Sequence, residues 1–94
     1  MNYDDVKLIN NTEAHNFELF VDEQLSFIDY KMRDNKVYLI HTEVPAELQG
    51  KGVAEALVTK AFEYAEQHQL KVVPLCSYVQ AFLKRHPEWN KIVA

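Results

Sequence analysis

The sequence predicts an α+β fold: an antiparallel meander of four strands, a helix, a fifth strand parallel to the fourth, and a second helix. Three observations predict it. Residues 6–44 hold short apolar segments separated by Asn, Asp and Thr, the pattern of strands joined by tight turns. Residues 52–68 carry apolar side chains at helical spacing. Residues 70–75 are apolar apart from Lys71, and a strand that follows a crossover helix pairs in parallel with the strand before it.

Each element has its own signal. Residues 6–10 form the first strand, closed by a turn at Asn10-Asn11-Thr12. Residues 17–21 form a second, rich in aromatic and branched side chains. In residues 24–33, Leu25, Phe27, Asp29 and Lys31 alternate with Ser26, Ile28, Tyr30 and Met32, so the two sets occupy opposite faces. Asp34-Asn35-Lys36 supplies two residues that tolerate left-handed backbone. The fourth strand spans residues 37–44. Strict alternation puts Val37, Leu39, His41 and Glu43 on one face and Tyr38, Ile40, Thr42 and Val44 on the other. Tyr3, Tyr30 and Tyr38 are expected to be exposed.

Pro45 stops the fourth strand because it cannot donate to a ladder. The helix over 52–68 presents Val53, Ala54, Leu57, Val58, Ala61, Phe62 and Ala65 as its apolar stripe. Pro74 ends the fifth strand, a second helix covers 78–86, and Pro87 ends that. Ser77 is placed to cap this helix. Residues 88–94 suggest a short final strand, with Trp89 as a core anchor.

Composition narrows the function. The 94 residues fit one domain spanning 1–94, and the 48% hydrophobic content can form a core without staples. Formal net charge is −4, and the ten Lys and Arg are scattered, which argues against nucleic-acid binding. No apolar run is long enough to span a membrane. The polar, acidic start (Asn2, Tyr3, Asp4, Asp5) is unlike a secretory signal. Cys76 is the single cysteine, which fits a reducing cytoplasm. His15, His41, His68 and His86 lie far apart, without metal-ligand spacing.

The two glycines, Gly50 and Gly52, both lie between the fourth strand and the first helix. Glycines there either make a tight turn or leave bare N–H groups at a positive helix end, where a phosphate can bind. Lys51 is followed by Gly52, so the segment is not a P-loop, and Glu55 stands where a dinucleotide fingerprint needs its third small residue.

Gln49-Gly50-Lys51-Gly52-Val53-Ala54, with a strand before and an amphipathic helix after, resembles the pyrophosphate loop of the GNAT superfamily of N-acetyltransferases. That loop reads Gln or Arg, two residues, Gly, one residue, then Gly or Ala; Gln49, Gly52 and Ala54 match it. The resemblance covers about residues 36–86. Pro74-Leu75-Cys76-Ser77-Tyr78 is similar to a segment of a very short, stand-alone branch.

The resemblance implies a reduced acyl-CoA N-acyltransferase fold and acetyl-CoA as cosubstrate. It implies pyrophosphate contacts with Gln49, Gly50, Lys51, Gly52, Val53 and Ala54. It also implies backbone contacts to the pantetheine arm along the end of the fourth strand, His41 to Val44, with Cys76 and Ser77 opposite. The fourth and fifth strands splay there.

Amine acetylation needs an amine freed of its proton and a proton for the departing thiolate. His41 or Glu43 can relay the amine proton; equally, each can be an ordinary strand-end polar residue. Cys76 can take the acetyl group as a thiolate at a helix start, or be an inert buried thiol. Most members carry a tyrosine on the last helix that protonates the thiolate. Phe82 or Arg85 stands at that place here, with Tyr78 one turn earlier.

Members also carry two helices between their first strands; residues 12–16 alone stand there, which leaves the acceptor side open. Two functions follow. One is acetyl-CoA-dependent transfer to an unidentified amine, on a small molecule or a protein. The other is an acyl-CoA-binding module that works through a protein partner.

Overall fold

A computed structural model describes residues 2–94. The strands are β1 (Ile9–Asn11), β2 (Asn16–Val21), β3 (Gln24–Arg33), β4 (Lys36–Glu43) and β5 (Lys71–Pro74). They form one sheet in the order β1-β2-β3-β4-β5. The first four pair antiparallel, and β5 runs parallel to β4. The fold is the α+β arrangement expected from the sequence.

Turn chemistry sets the meander. Asp34 and Asn35 join β3 to β4 with φ of 52° and 61°, and Asp22 and Glu23 make the β2–β3 turn at 51° and 62°. Two successive left-handed residues match the twist of paired strands, and short polar side chains tolerate that backbone best.

Helix α1 (Val53–Gln67) and helix α2 (Ser77–Arg85) pack over the sheet. Helix α1 buries Val53, Leu57, Val58, Ala61, Phe62 and Ala65 against Phe17, Leu19, Ile28 and Leu39. Phe62 meets Phe82 of α2 at 5.4 Å and the edge of Trp89 at 5.6 Å, tying the two helices together. Trp89 packs against the core as an anchor. No helix among the described residues is long and apolar enough to cross a membrane.

Four sequence expectations are corrected. First, β1 begins at Ile9; residues 3–6 instead form a turn in which the Val6 N–H donates to the Tyr3 carbonyl. Second, Tyr3 and Tyr30 are buried, at 8% and 5% exposure. Tyr30 stacks on Phe17 and bonds Asn10, so its polar tip has a partner where its ring is buried. Third, residues 87–92 form a 3₁₀ helix, since Pro87 starts a helical turn well. Only Val93 bridges to Val72 of β5.

The fourth correction matters most. Tyr30 pairs with Leu39 and Asp29 pairs with His41, so Ile40 is the extra residue of a bulge in β4. Alternation slips by one at this point. Val37 and Leu39 face the helices, and beyond the bulge Thr42 does so, across from buried Ile28. His41 and Glu43 share a face, but it is the open one.

Candidate functional site

The sheet opens where β4 loses its second partner. Pairing with β5 ends at Leu39–Pro74, and the Leu39 carbonyl accepts the N–H groups of both Leu75 and Cys76, each at 3.0 Å. Past that double bond the chain turns into α2, while β4 continues along β3 alone. A cleft of about 400 Å³ lies beside the unpaired end of β4, lined by Thr42, Val44, Leu48, Gln49, Gly50, Gly52, Val53, Ala54, Glu55 and Tyr78.

Its floor is the glycine loop. Pro45 leads into a 3₁₀ turn, Ala46–Leu48, pinned by fully buried Leu48. Gln49 Nε2 donates back to the Val44 carbonyl at 3.3 Å. Gly50 and Gly52 have φ of +78° and +79°, which only glycine adopts without strain. A Cβ built at either position meets nothing within 4 Å, so both face open space.

Gly52 is the N-cap of α1 and offers no side chain to the first turn; the Ala56 N–H is the first to reach back, to the Gly52 carbonyl. The N–H groups of Val53, Ala54 and Glu55 stand free of any such bond, as at every helix start, and the helix dipole adds partial positive charge. The position fits an anion.

Glu55 brings a negative charge to the same rim and is held aside by His86 and Arg85. Its Oε1 lies 2.8 Å from His86 Nε2 and 3.9 Å from Arg85 Nε. His86 Nδ1 is 3.7 Å from Glu88, and its ring packs against Phe82. Arg85 lies over the Tyr78 ring at 5.6 Å, with Nη2 3.5 Å from its hydroxyl. Burial and nearby Glu55 hold the Tyr78 phenol above its usual range, against the opposing pull of Arg85. It stays a proton donor at neutral pH.

Cys76 sits behind the cleft wall, 7% exposed, with Sγ 3.4 Å from Thr42 Oγ1. It is the N-cap of α2, which moves the expected cap from Ser77 by one residue; Ser77 is the exposed first helical residue. Sγ closes no full capping bond. Burial pushes the thiol up, but Thr42 and the nearby backbone of Val79, Tyr78 and Thr42 outweigh it, so Cys76 ionises below the ordinary thiol range.

Of the residues expected at the cofactor, Val44, Gln49, Gly50, Gly52, Val53 and Ala54 line the cleft together. Lys51 does not; it is exposed, and its carbonyl accepts from Tyr3 Oη. Ser77 lies outside the lining, and Cys76 touches it through Thr42. His41 and Glu43 stand off the cleft as an exposed pair 3.6 Å apart. Thr42 belongs to the strand end, His41 to Val44, expected beside the cofactor, whereas Leu48, Glu55 and Tyr78 are cleft residues that the sequence reading did not place there. An acid in the first turn of a helix after a glycine loop is a readable signal for Glu55. The face that Thr42 takes depends on the bulge, which leaves no mark in the sequence. Among the described residues, no group of three or more His, Cys, Asp and Glu is placed to hold a metal ion.

Comparisons with known proteins bear on the family and the fold. The family described as GCN5-related N-acetyl-transferase matches residues 16–92. Protein NATD1 of Xenopus tropicalis is 37% identical over 51 residues, which are 54% of this chain and 47% of that protein. The human Protein NATD1 gives the same identity over 54% of this chain and 45% of that protein. The match thus spans about half the length of these curated relatives. A GCN5-like protein from Staphylococcus aureus, solved by NMR, superposes with a TM-score of 0.71 at 26% identity, covering 97% of this chain and 90% of that one.

Proposed function

Because the chain belongs to the GCN5-related N-acetyl-transferase family, we propose that it binds acetyl-CoA in this cleft and transfers the acetyl group to an amine. One observation carries the reading. The sheet parts beside a helix start whose free N–H groups, Gly50 and Gly52 face the opening. A pyrophosphate needs several convergent N–H donors and no bulk above them, and this loop supplies both.

Acetyl-CoA supplies an activated acetyl group as a thioester. Gln49, Gly50, Gly52, Val53 and Ala54 hold the pyrophosphate end, and the unpaired backbone of Thr42 to Val44 aligns the arm. An amine attacks from the open face of the sheet, where His41 and Glu43 sit. As the C–N bond forms and the C–S bond breaks, the amine proton passes to this pair. Tyr78, protonated in the cleft, returns a proton to the thiolate. Cys76 lies behind Thr42 of the cleft wall, and its depressed thiol makes it the group to test for transient acetylation. The Pro74-Leu75-Cys76-Ser77-Tyr78 segment supports membership of a very short branch of the family, and a lone cysteine suits a reducing cytoplasm.

Calorimetric titration with acetyl-CoA, followed by mass spectrometry with a panel of amines, tests the reading. Binding together with an added acetyl group on one amine class is the expected result. Binding without transfer marks an acyl-CoA-binding module instead. Absence of binding at tens of micromolar refutes both.

A further inference from the structure

We propose that Tyr3 is a positioning residue that aims the Gly52 N–H into the cleft; this rests on the acyl-CoA reading above. Tyr3 lies 48 residues before the glycine loop, yet its hydroxyl donates to the Lys51 carbonyl at 2.7 Å. The tyrosine is itself fixed: it is 8% exposed, and its carbonyl accepts the Val6 N–H at 3.0 Å.

The Lys51–Gly52 peptide ends at Gly52, whose φ is +79° and above which a Cβ would meet open space; Gly50, one residue before Lys51, shares both features. Rotating this plane changes ψ of Lys51 and φ of Gly52 together, and glycine takes up its share at little steric cost. Its two polar groups point in opposite directions because the bond is trans. Gly52 borders two openings: the cleft, and a second cavity of about 480 Å³ that Tyr3 lines. With the carbonyl drawn to Tyr3 on the second side, the Gly52 N–H faces the cleft. In the flipped plane a carbonyl oxygen meets the incoming anion, and the site loses a donor and gains a repulsion.

The chain holds only two glycines, so ¹⁵N-glycine labelling yields two backbone signals, Gly50 and Gly52. In the unsubstituted chain, CoA shifts the Gly52 signal. Tyr3→Phe keeps the ring and removes the hydroxyl. It displaces the Gly52 signal in the free protein and weakens CoA binding about tenfold or more, the loss of one hydrogen bond to an anion. Leu8→Ala thins the same N-terminal segment without touching the loop. It lowers the melting temperature and leaves both the Gly52 signal and the affinity in place.

The proposal is overturned if Tyr3→Phe changes neither signal nor affinity. It is equally overturned if calorimetry shows CoA binding while the Gly52 signal of the unsubstituted chain stays still. If the unsubstituted chain binds no CoA, the acyl-CoA reading fails, and the free-state Gly52 signal of Tyr3→Phe still decides whether the hydroxyl holds this peptide.

Discussion

The two halves of β4 differ in pairing and in burial. From Lys36 to Leu39 the strand is paired on both sides, with β3 and β5, and Val37 and Leu39 are almost wholly buried. From Ile40 to Glu43 it keeps β3 alone, and Ile40, His41 and Glu43 are exposed. One bulged residue and one doubly bonded carbonyl separate a buried, fully paired half from one that borders the cleft. The sheet gains a cleft here without losing its core, because the interruption falls where the parallel partner ends.

Substitutions on either side of the boundary measure that difference. Leu39→Ala removes a buried side chain from the paired half and costs about 2–5 kcal/mol, whereas Ile40→Ala, partly exposed, costs well under about 1 kcal/mol; urea unfolding compares them. Similar losses at both sites refute the division. Gly52→Ala, at the floor of the open half, forces a Cβ into left-handed backbone and costs about 1–2 kcal/mol, read in the same experiment. It also weakens CoA binding.

Chemistry at the boundary gives a subtler contrast. Thr42→Val removes the hydroxyl beside Cys76, so the pH midpoint of Cys76 alkylation moves up toward that of an ordinary thiol. The sign in stability follows. An acid depressed in the native state adds stability that is present above the unfolded-state thiol range and is lost as pH falls through the native one. Urea midpoints of the unsubstituted chain against Cys76→Ala across the alkaline range check this. The smallest effect is at the rim: Glu55→Gln removes a negative charge beside the anion position and frees Arg85, raising CoA affinity about two- to threefold at low salt. An unchanged affinity means that the pyrophosphate lies elsewhere.

Local patterns carried most of the fold into the sequence. The helical stripe from Val53 to Ala65, the left-handed Asp34-Asn35 turn and the glycines between a strand and a helix each act over a few residues. Each is therefore legible from neighbours alone. So was the cleft floor: Gly50 and Gly52 adopt the backbone that their lack of a side chain allows. The acetyl-CoA reading came from the same stretch, by resemblance, and the open acceptor face remains the part the loop does not describe.

What the tertiary structure alone decided depends on distant partners. The bulge at Ile40 is a mismatch in pairing between β3 and β4, so no residue of β4 announces it. Yet it moves His41 and Glu43 to the open face and brings Thr42 to Cys76. Tyr3 reads as an exposed aromatic until the fold delivers Lys51 to its hydroxyl, 48 residues away. Periodicity fixes a side chain's face only while the ladder is regular, and a hydrogen bond between remote segments leaves no periodicity at all.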